Sequence, residues 1–372
     1  MTPLRRIVLR FAAPVTAVVF ALVMSSVVLL ISGSSPTDAY GDMISHASKL
    51  ETMIDILNRA TPFYISGIAA AIGFRMALFN IGVEGQYLLA AVFAAHVGGV
   101  VSLPAVLHVG LIFVVAMAVG AAYSGVAGVL KVTRGINEVI STIMLNAIAV
   151  SGLIAFLVKR WQADGGLASG SATRVGTTPI DESGLLPTLN SFVEIFTRDI
   201  RSNKELTGML VVAVVVGIAY YVVINRTRFG FDLRASGINP FAARAGGVPP
   251  KRMVVTAMLI SGAIAGLVGL TEVMQVGSFS ANPIRGLGFT GIAVALLGRN
   301  SPIGVGIAAL VFAFLDVSSG VLQFTGAASR EIVVIIQGII ILAAVVSYEM
   351  VRRISDREET KSAAAALVGS PA

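Results

Sequence analysis

Apolar runs long enough to cross a lipid bilayer return along nearly the whole chain, and this constrains the fold more than any single motif. A hydrocarbon core of roughly 30 Å takes about 20 apolar residues in a helix. Runs approaching or exceeding that length lie at about 11–31, 62–79, 86–103, 105–130, 137–158, 208–224, 253–275, 286–299, 303–322 and 331–350. The run at 286–299 is short and rich in glycine, so its ends are soft. Of the 372 residues 56% are hydrophobic and 13% charged, and the mean hydropathy is +0.87. A soluble protein of this size could not hide so much apolar side chain. The expected fold is therefore an all-α polytopic membrane protein of about ten transmembrane helices. There is no cysteine, which removes disulfides and thiolate-bound metals.

Charge supplies the orientation, because Lys and Arg collect in cytoplasmic loops. Arg5, Arg6 and Arg10 precede the first run, and Lys131 and Arg134 lie in the link at 131–136. The loop at 225–252 carries Arg226, Arg228, Arg234, Arg244, Lys251 and Arg252 against one acid, Asp232, and Arg352 and Arg353 follow the last run. All of these fall on one side when the N-terminus is cytoplasmic, so both termini are expected inside. The segment 159–207, with six basic and six acidic residues, then lies outside. In this setting the net charge of +7 reads as membrane topology, not as a nucleic-acid surface. The first run follows basic residues as a signal peptide would, but it is too long for that and reads as a retained helix.

The expected organisation is a first helix plus an external amphipathic helix (1–61), a first transmembrane repeat (62–158) and an extracytoplasmic segment (159–207). A linking helix with a cytoplasmic loop (208–252), a second repeat (253–350) and a tail (351–372) follow. The amphipathic helix is expected from Met43, Ile44, Ala47, Leu50, Met53, Ile54 and Leu57, which recur at helical spacing with charges between them. It would either lie on the outer surface or pack against the bundle. The repeat rests on two matches. "ISGIAAAIGF" at 65 resembles "ISGAIAGLVGL" at 260, and "NEVISTIML" at 137 resembles "REIVVIIQG" at 330, which are offsets of 195 and 193. Units that begin five spans apart face opposite ways, and inverted repeats place a solute path at their interface.

The sequence holds no enzyme signature. A P-loop requires Lys directly after Gly, but the lysines at 49, 131, 159, 204, 251 and 361 follow Ser, Leu, Val, Asn, Pro and Thr. His46, His96 and His108 have no metal-binding spacing and read as packed or interfacial histidines. In "FDLRASGINPFAARAGGVPPKR" (231–252), Asn239 suits an N-cap, Pro240 the first helical turn, and Gly246 or Gly247 the stop. A short helix over Pro240–Ala245 is expected, either as an ordinary loop helix or as a coupling helix that seats in a cytoplasmic motor subunit.

"ATPFYISGIAAAIGFRMALFNIGVEGQ", "RGINEVISTIMLN", "ASGINPFAARAGGV" and "GFTGIAVALLGRNSPIG" together resemble the permease subunits of bacterial ABC importers. The nearest group is the simple-sugar and nucleoside branch, which works with basic-membrane-protein-type binding lipoproteins. "FNIGVEGQ" is the most specific part, and the resemblance spans about residues 60–350. It implies a multi-pass protein of the bacterial plasma membrane, with a second related permease, an ABC ATPase and an extracytoplasmic binding lipoprotein as partners. It also implies that ATP and Mg are bound by the ATPase, with no cofactor in this chain, and that the cargo is a nucleoside such as guanosine or a simple sugar. The related vitamin B12 permeases have ten spans and an inverted repeat. Segment 159–207 matches no family pattern and is a candidate docking surface for the binding protein. Asn239, Pro240, Phe241, Ala242, Ala243 and Arg244 would form the coupling helix.

Charges inside a bilayer are costly and usually pair or face a cavity. Glu84 has two readings. In one, Gly82 and Gly85 permit a re-entrant turn whose polar groups satisfy freed backbone, with Arg75 neutralising the carboxylate. In the other, Asn80, Glu84 and Gln86 line the translocation path. Further path candidates are Asn137, Glu138, Asn146, Glu272, Gln275, Asn282 and Asp316, with Phe279 and Phe289 as stacking faces, although such polar residues often bridge helices instead. An ion-coupled secondary transporter is the competing function and would use Glu84, Glu138 and Asp316 as ion sites.

Overall fold

The computed structural model describes residues 19–162, 176–190 and 204–324, then Ser329, residues 331–340, 342, 343 and 346. The described residues are helical, and their only strand-like pairings are the isolated bridges Gln162 with Thr177 and Gly176 with Ser280. The basic N-terminal residues, most of segment 159–207 and the tail 351–372 lie outside the described residues.

The chain divides into two compact units, one of Met53–Ala313 and one of the residues before and after it. In the smaller unit, α1 (Val19–Ile31) and α2 (Pro36–Ala47) meet at 114°. Ser35 caps α2 by accepting from the Asp38 amide, and Pro36 fills its first turn, as the missing proline N–H allows. Leu29, Ala39 and Met43 pack with Leu315, Leu322, Val333 and Ile336 as the core of this unit.

The amphipathic helix expected over 43–57 is not one element. Helix α2 stops at Ala47, where Ser48 forms the C-cap, and a new helix, α3, runs without interruption over Leu50–Arg75. Its charged start leads without a break into the second apolar run and is not a separate surface helix. It continues through Pro62, although proline cannot donate to the preceding turn.

Helix α4 (Val83–Val100) forms the centre of the larger unit: 72% of its residues are buried, whereas most of α5 (Ala105–Arg134) is not. Helix α5 ends at Gly135, whose φ of 69° lets its N–H turn back onto the last carbonyls. Next come α6 (Glu138–Ile148), a π-helical turn (Ala149–Leu153) and α7 (Ile154–Trp161). They are followed by α8 (Met209–Arg226), α9 (Arg228–Ile238) and α10 (Pro240–Ala245). The last helices are α11 (Pro250–Val268), α12 (Leu270–Val276), α13 (Leu287–Leu297), α14 (Pro302–Phe324) and α15 (Glu331–Ile340).

Helix α11 lies along α5 and α4, and small residues make that approach possible. A Cβ on Gly120 would stand 2.2 Å from the Gly262 carbonyl, and one on Gly266 would stand 2.2 Å from the Ala116 carbonyl. This is the small-xxx-small packing of membrane helices, and it accounts for the glycines in "ISGAIAGLVGL".

Among the described residues five helical stretches are long and apolar enough to cross a membrane (α4, α5, α6 through α7, α8, and α11 with α12), or six if the bent pair α1–α2 is one span. The chain is therefore a helical, multi-pass membrane protein. Helix α13, with 11 residues, is too short to cross alone.

Candidate translocation and coupling sites

The stretch "FNIGVEGQ" connects α3 to α4. The chain reverses at Ala77, which holds a φ of 55°, and not at the glycines expected to permit the turn. Gly82 has an ordinary φ of −74°. What Gly82 and Gly85 supply is room: a Cβ on Gly82 would lie 2.7 Å from Gln86 Nε2, and one on Gly85 would lie 2.9 Å from Asn146 Oδ1.

The polar groups here satisfy one another. Asn80 and Gln86, both at most 2% exposed, form a reciprocal amide pair at 3.0 and 2.8 Å. Asn80 also donates to Ser261 Oγ at 2.9 Å and accepts from the Gly82 amide at 3.1 Å. Ser261 in turn donates to the Ala69 carbonyl at 2.7 Å. The first-turn amides of a helix lack partners within the helix. For α4, the Gly85 amide finds Asn146 Oδ1 at 2.8 Å, and Asn146 returns its own N–H to the Ile81 carbonyl at 2.6 Å.

Glu84 reaches a different helix. Its carboxylate accepts from the Gly286 amide at 2.6 Å and from the Gly288 amide at 2.8 Å, at the N-terminus of α13. The Tyr87 hydroxyl, one turn further along α4, lies 2.9 Å from Glu84 Oε1 and 2.8 Å from the Ile284 carbonyl. A carboxylate at a helix N-terminus answers both unpaired amides and the positive end of the macrodipole. Two glycines make the contact possible: Gly286 takes a φ of 89°, and a Cβ on Gly288 would lie 2.5 Å from the Glu84 amide nitrogen.

Arg75 is not the counter-ion. Its guanidinium donates instead to the Asn300 carbonyl at 2.9 Å and to the Tyr220 hydroxyl at 3.4 Å. The balancing positive charge is a helix end, which a search for basic residues near Glu84 cannot find. Tyr87 and Ser261 are also absent from the candidates drawn from sequence. The signal for Tyr87 was its spacing of three from Glu84, which puts both on one helical face.

The other candidates separate by environment. Asn137 is exposed and caps α6 by accepting from the Val139 amide at 2.8 Å. Glu138 is 5% exposed and forms an ion pair with Lys131. Glu272 is half-buried and accepts from the Ile284 amide at 2.9 Å. Gln275, Asn282 and Phe289 are exposed around the break between α12 and α13, whereas Phe279 is buried. Asp316 is half-buried on the part of α14 in the smaller unit.

The described part of segment 159–207 is tied to this same region. Thr177 N donates to the Phe279 carbonyl at 3.1 Å, and Ile180 N to the Gly277 carbonyl at 2.7 Å. Ser102 donates to Asp181 at 2.6 Å, and Lys204 pairs with Asp55 at 2.9 Å. His108 is buried with its ring nitrogens 2.8 Å from Ser183 Oγ and 2.9 Å from the Gly98 carbonyl, while the His96 ring stacks on Trp161 at 4.1 Å. His46 lies half-buried in the last turn of α2.

The 225–252 loop is more ordered than expected, since α9 precedes the short helix. Asn239 Oδ1 caps α10, accepting from the Phe241 and Ala242 amides at 3.0 and 3.1 Å. Phe241 is 85% exposed and Ile238 86%, but Ala243 is 6% exposed and faces inward. Pro240, Ala242 and Arg244 are also exposed. Helix α9 is seated on the end of α3, where a Cβ on Gly237 would come within 2.7 Å of the Arg75 carbonyl and 2.9 Å of Met76 Cα. The exposed helix therefore connects through packed backbone to the turn that begins "FNIGVEGQ".

Residues 52–345 match the family described as branched-chain amino acid transport system / permease component. The chain belongs to this permease family. Among its relatives is the guanosine ABC transporter permease protein NupP of Bacillus subtilis, 32% identical over 90% of this chain and 93% of NupP. The glucose ABC transporter permease protein TsgB13 of Haloferax volcanii is 33% identical over 91% of this chain and 88% of its own. A second B. subtilis guanosine permease protein, NupQ, is 26% identical over 68% of this chain and 77% of its own. Permeases of this family are transport components, not ATPases.

Proposed function

We propose that this permease takes up purine nucleosides such as guanosine, as the transmembrane subunit of an ATP-driven ABC importer in a bacterial plasma membrane. The observation that carries the reading is the likeness to NupP across almost the full length of both chains. The complex would contain a second related permease, in keeping with the likeness to both NupP and NupQ of one organism. An ABC ATPase would hold ATP and Mg, and an extracytoplasmic binding lipoprotein would deliver cargo. The fold would comprise ten spans with both termini cytoplasmic, as inverted repeats over 62–158 and 253–350 joined by 159–207 and 208–252, with 1–61 and 351–372 outside them. In support, the equivalent serines of the two "ISG" stretches, Ser66 and Ser261, are both buried. Each donates to a backbone carbonyl in the other half, Leu287 at 2.8 Å and Ala69 at 2.7 Å.

Transport would run by alternating access. Asn239, Pro240, Phe241, Ala242, Ala243 and Arg244 act as the coupling helix, with Phe241 as the apolar knob that seats in the ATPase. Movement of α10 passes through α9 and the Gly237 contact to the turn after α3, and from there through Glu84 to α13. Cargo meets Gln275, Asn282 and Phe289, which are exposed, whereas Asn80, Gln86 and Asn146 hold the helices together. A simple sugar is the second reading, favoured by the likeness to TsgB13. The ion-coupled reading loses support because Glu84 is committed to helix amides and Glu138 to Lys131.

The test is uptake of labelled guanosine by cells with and without this chain, under ATP depletion and separately under an ionophore. Uptake that needs the chain and ATP but survives the ionophore is expected. Uptake abolished by the ionophore while ATP persists would refute the ATP-driven reading, and equal uptake by both strains would refute the cargo.

A further inference from the structure

The end of α3, the end of α8 and the start of α14 line an open pocket of about 510 Å³, within the size range of sites that hold small organic groups. None of its lining side chains belongs to the Glu84 network, and the transport reading uses only the backbone of Arg75, not its guanidinium. Two guanidinium groups line it, Arg75 and Arg226, together with Tyr221, Asn225, Ser301 and Ile303, and no carboxylate does. Neither arginine forms an ion pair among the described residues.

Arg75 is held in place by the Asn300 carbonyl and the Tyr220 hydroxyl, and these bonds involve only Nε and Nη2. Arg226 is exposed, with its guanidinium 5.9 Å from the centre of the Tyr221 ring and Nη2 3.4 Å from that residue's hydroxyl. One cation is thus fixed and the other is free to close on an anion, with a tyrosine of the kind enriched at membrane interfaces beside them. Ile303, in the lining, is 78% exposed, and with Pro302 it offers an apolar surface for the start of an acyl chain.

We propose that this cavity binds the phosphate of an anionic phospholipid headgroup from the adjoining leaflet. Planar guanidinium groups match phosphate geometry and keep their charge at any physiological pH, and basic pockets between transmembrane helices hold such headgroups. A free phosphate would satisfy the same two arginines but would leave the exposed Ile303 uncovered. The proposal rests on the helical membrane fold and not on the cargo or the energy source.

The test uses the full-length protein, stripped of lipid in a neutral detergent and placed in nanodiscs of phosphatidylcholine with a minor share of phosphatidylglycerol. Lipid retained after re-extraction is counted by mass spectrometry, and binding of labelled inorganic phosphate is measured in parallel. The wild type is expected to retain phosphatidylglycerol in excess of its share. Arg226→Gln, at an exposed position that leaves folding intact, is expected to lower this retention about tenfold, the effect of one charge-assisted contact. Arg226→Lys should restore part of it, and Arg134→Gln, at an exposed arginine outside the cavity, should leave it unchanged. Retention that ignores Arg226 overturns the proposal. Arg226-dependent binding of inorganic phosphate without enrichment of phosphatidylglycerol overturns the lipid assignment and makes the cavity a free-phosphate site.

Discussion

Replacing Glu84 with Gln tests whether that side chain holds the fold or faces the cargo. The carboxylate receives two charge-assisted bonds, from the Gly286 and Gly288 amides, each worth about 1.5–3 kcal/mol. An amide of the same shape offers one acceptor oxygen and turns an NH2 group toward the second helix amide. One neutral bond of about 1 kcal/mol then remains, and one buried donor goes unpaired at a further cost of about 1–3 kcal/mol. The loss works out at about 3–8 kcal/mol, before the attraction to the α13 dipole is added. Scaled to 372 residues at about 2.1 cal/mol/K of unfolding entropy per residue, that is an apparent Tm lower by about 4–10 °C. The assay heats full-length protein in detergent and measures the fraction that remains monodisperse. An apparent Tm within about 2 °C of wild type would refute the reasoning, because a buried carboxylate on two helix amides cannot be neutralised at no cost. If guanosine affinity changed while the Tm held, Glu84 would belong to the path instead.

Phe241→Glu is expected to leave the apparent Tm unchanged, since surface substitutions stay within about 0.5 kcal/mol, while uptake falls and ATP hydrolysis continues; normal uptake would remove α10 from the coupling role. Ala243→Asp, by contrast, buries an unpaired charge and should lower the yield of folded protein, as read by size exclusion. Gly120→Ala drives a methyl group against the Gly262 carbonyl and should destabilise by about 1–3 kcal/mol, the cost of overpacking, seen as a Tm loss in the same heating assay. Phe289→Ala and Gln275→Ala, at exposed positions, should raise the KM for guanosine several-fold at constant Tm, and an unchanged KM in both would remove them from the path.

Much of the fold was legible because it depends on periodicity and local chemistry. The membrane class follows from apolar run length, and α10 begins and ends at Pro240 and Ala245 because Asn239, Pro240 and Gly246 dictate a capped single turn and a half. The failures are all matters of long-range contact. Nothing local distinguishes a surface helix over 43–57 from the break at Ser48 followed by a helix that enters the bundle. Gly82 and Gly85 read as turn residues because glycine permits unusual φ, yet both hold ordinary helical geometry and serve close packing. Conversely, the positive φ falls on Ala77, a residue that gives no sign of it in sequence.

The candidate site shows the same limit more sharply. Asn80, Glu84, Gln86, Gln275 and Asn282 look alike in sequence, as polar residues at the edges of apolar runs. What separates them is whether a hydrogen-bond partner is present: Asn80 and Glu84 find theirs 181 to 204 positions away, and Gln86 pairs with Asn80 itself. In a bilayer, a buried polar group without such a partner carries a large penalty, so completed networks mark groups that hold helices together. Groups that meet a passing solute must instead keep donors and acceptors open to it. By that criterion "FNIGVEGQ" is structural, because its residues join α4 to three other helices. The exposed residues at the break between α12 and α13 are the ones left open by that criterion, which is why the proposed cargo contacts are placed there.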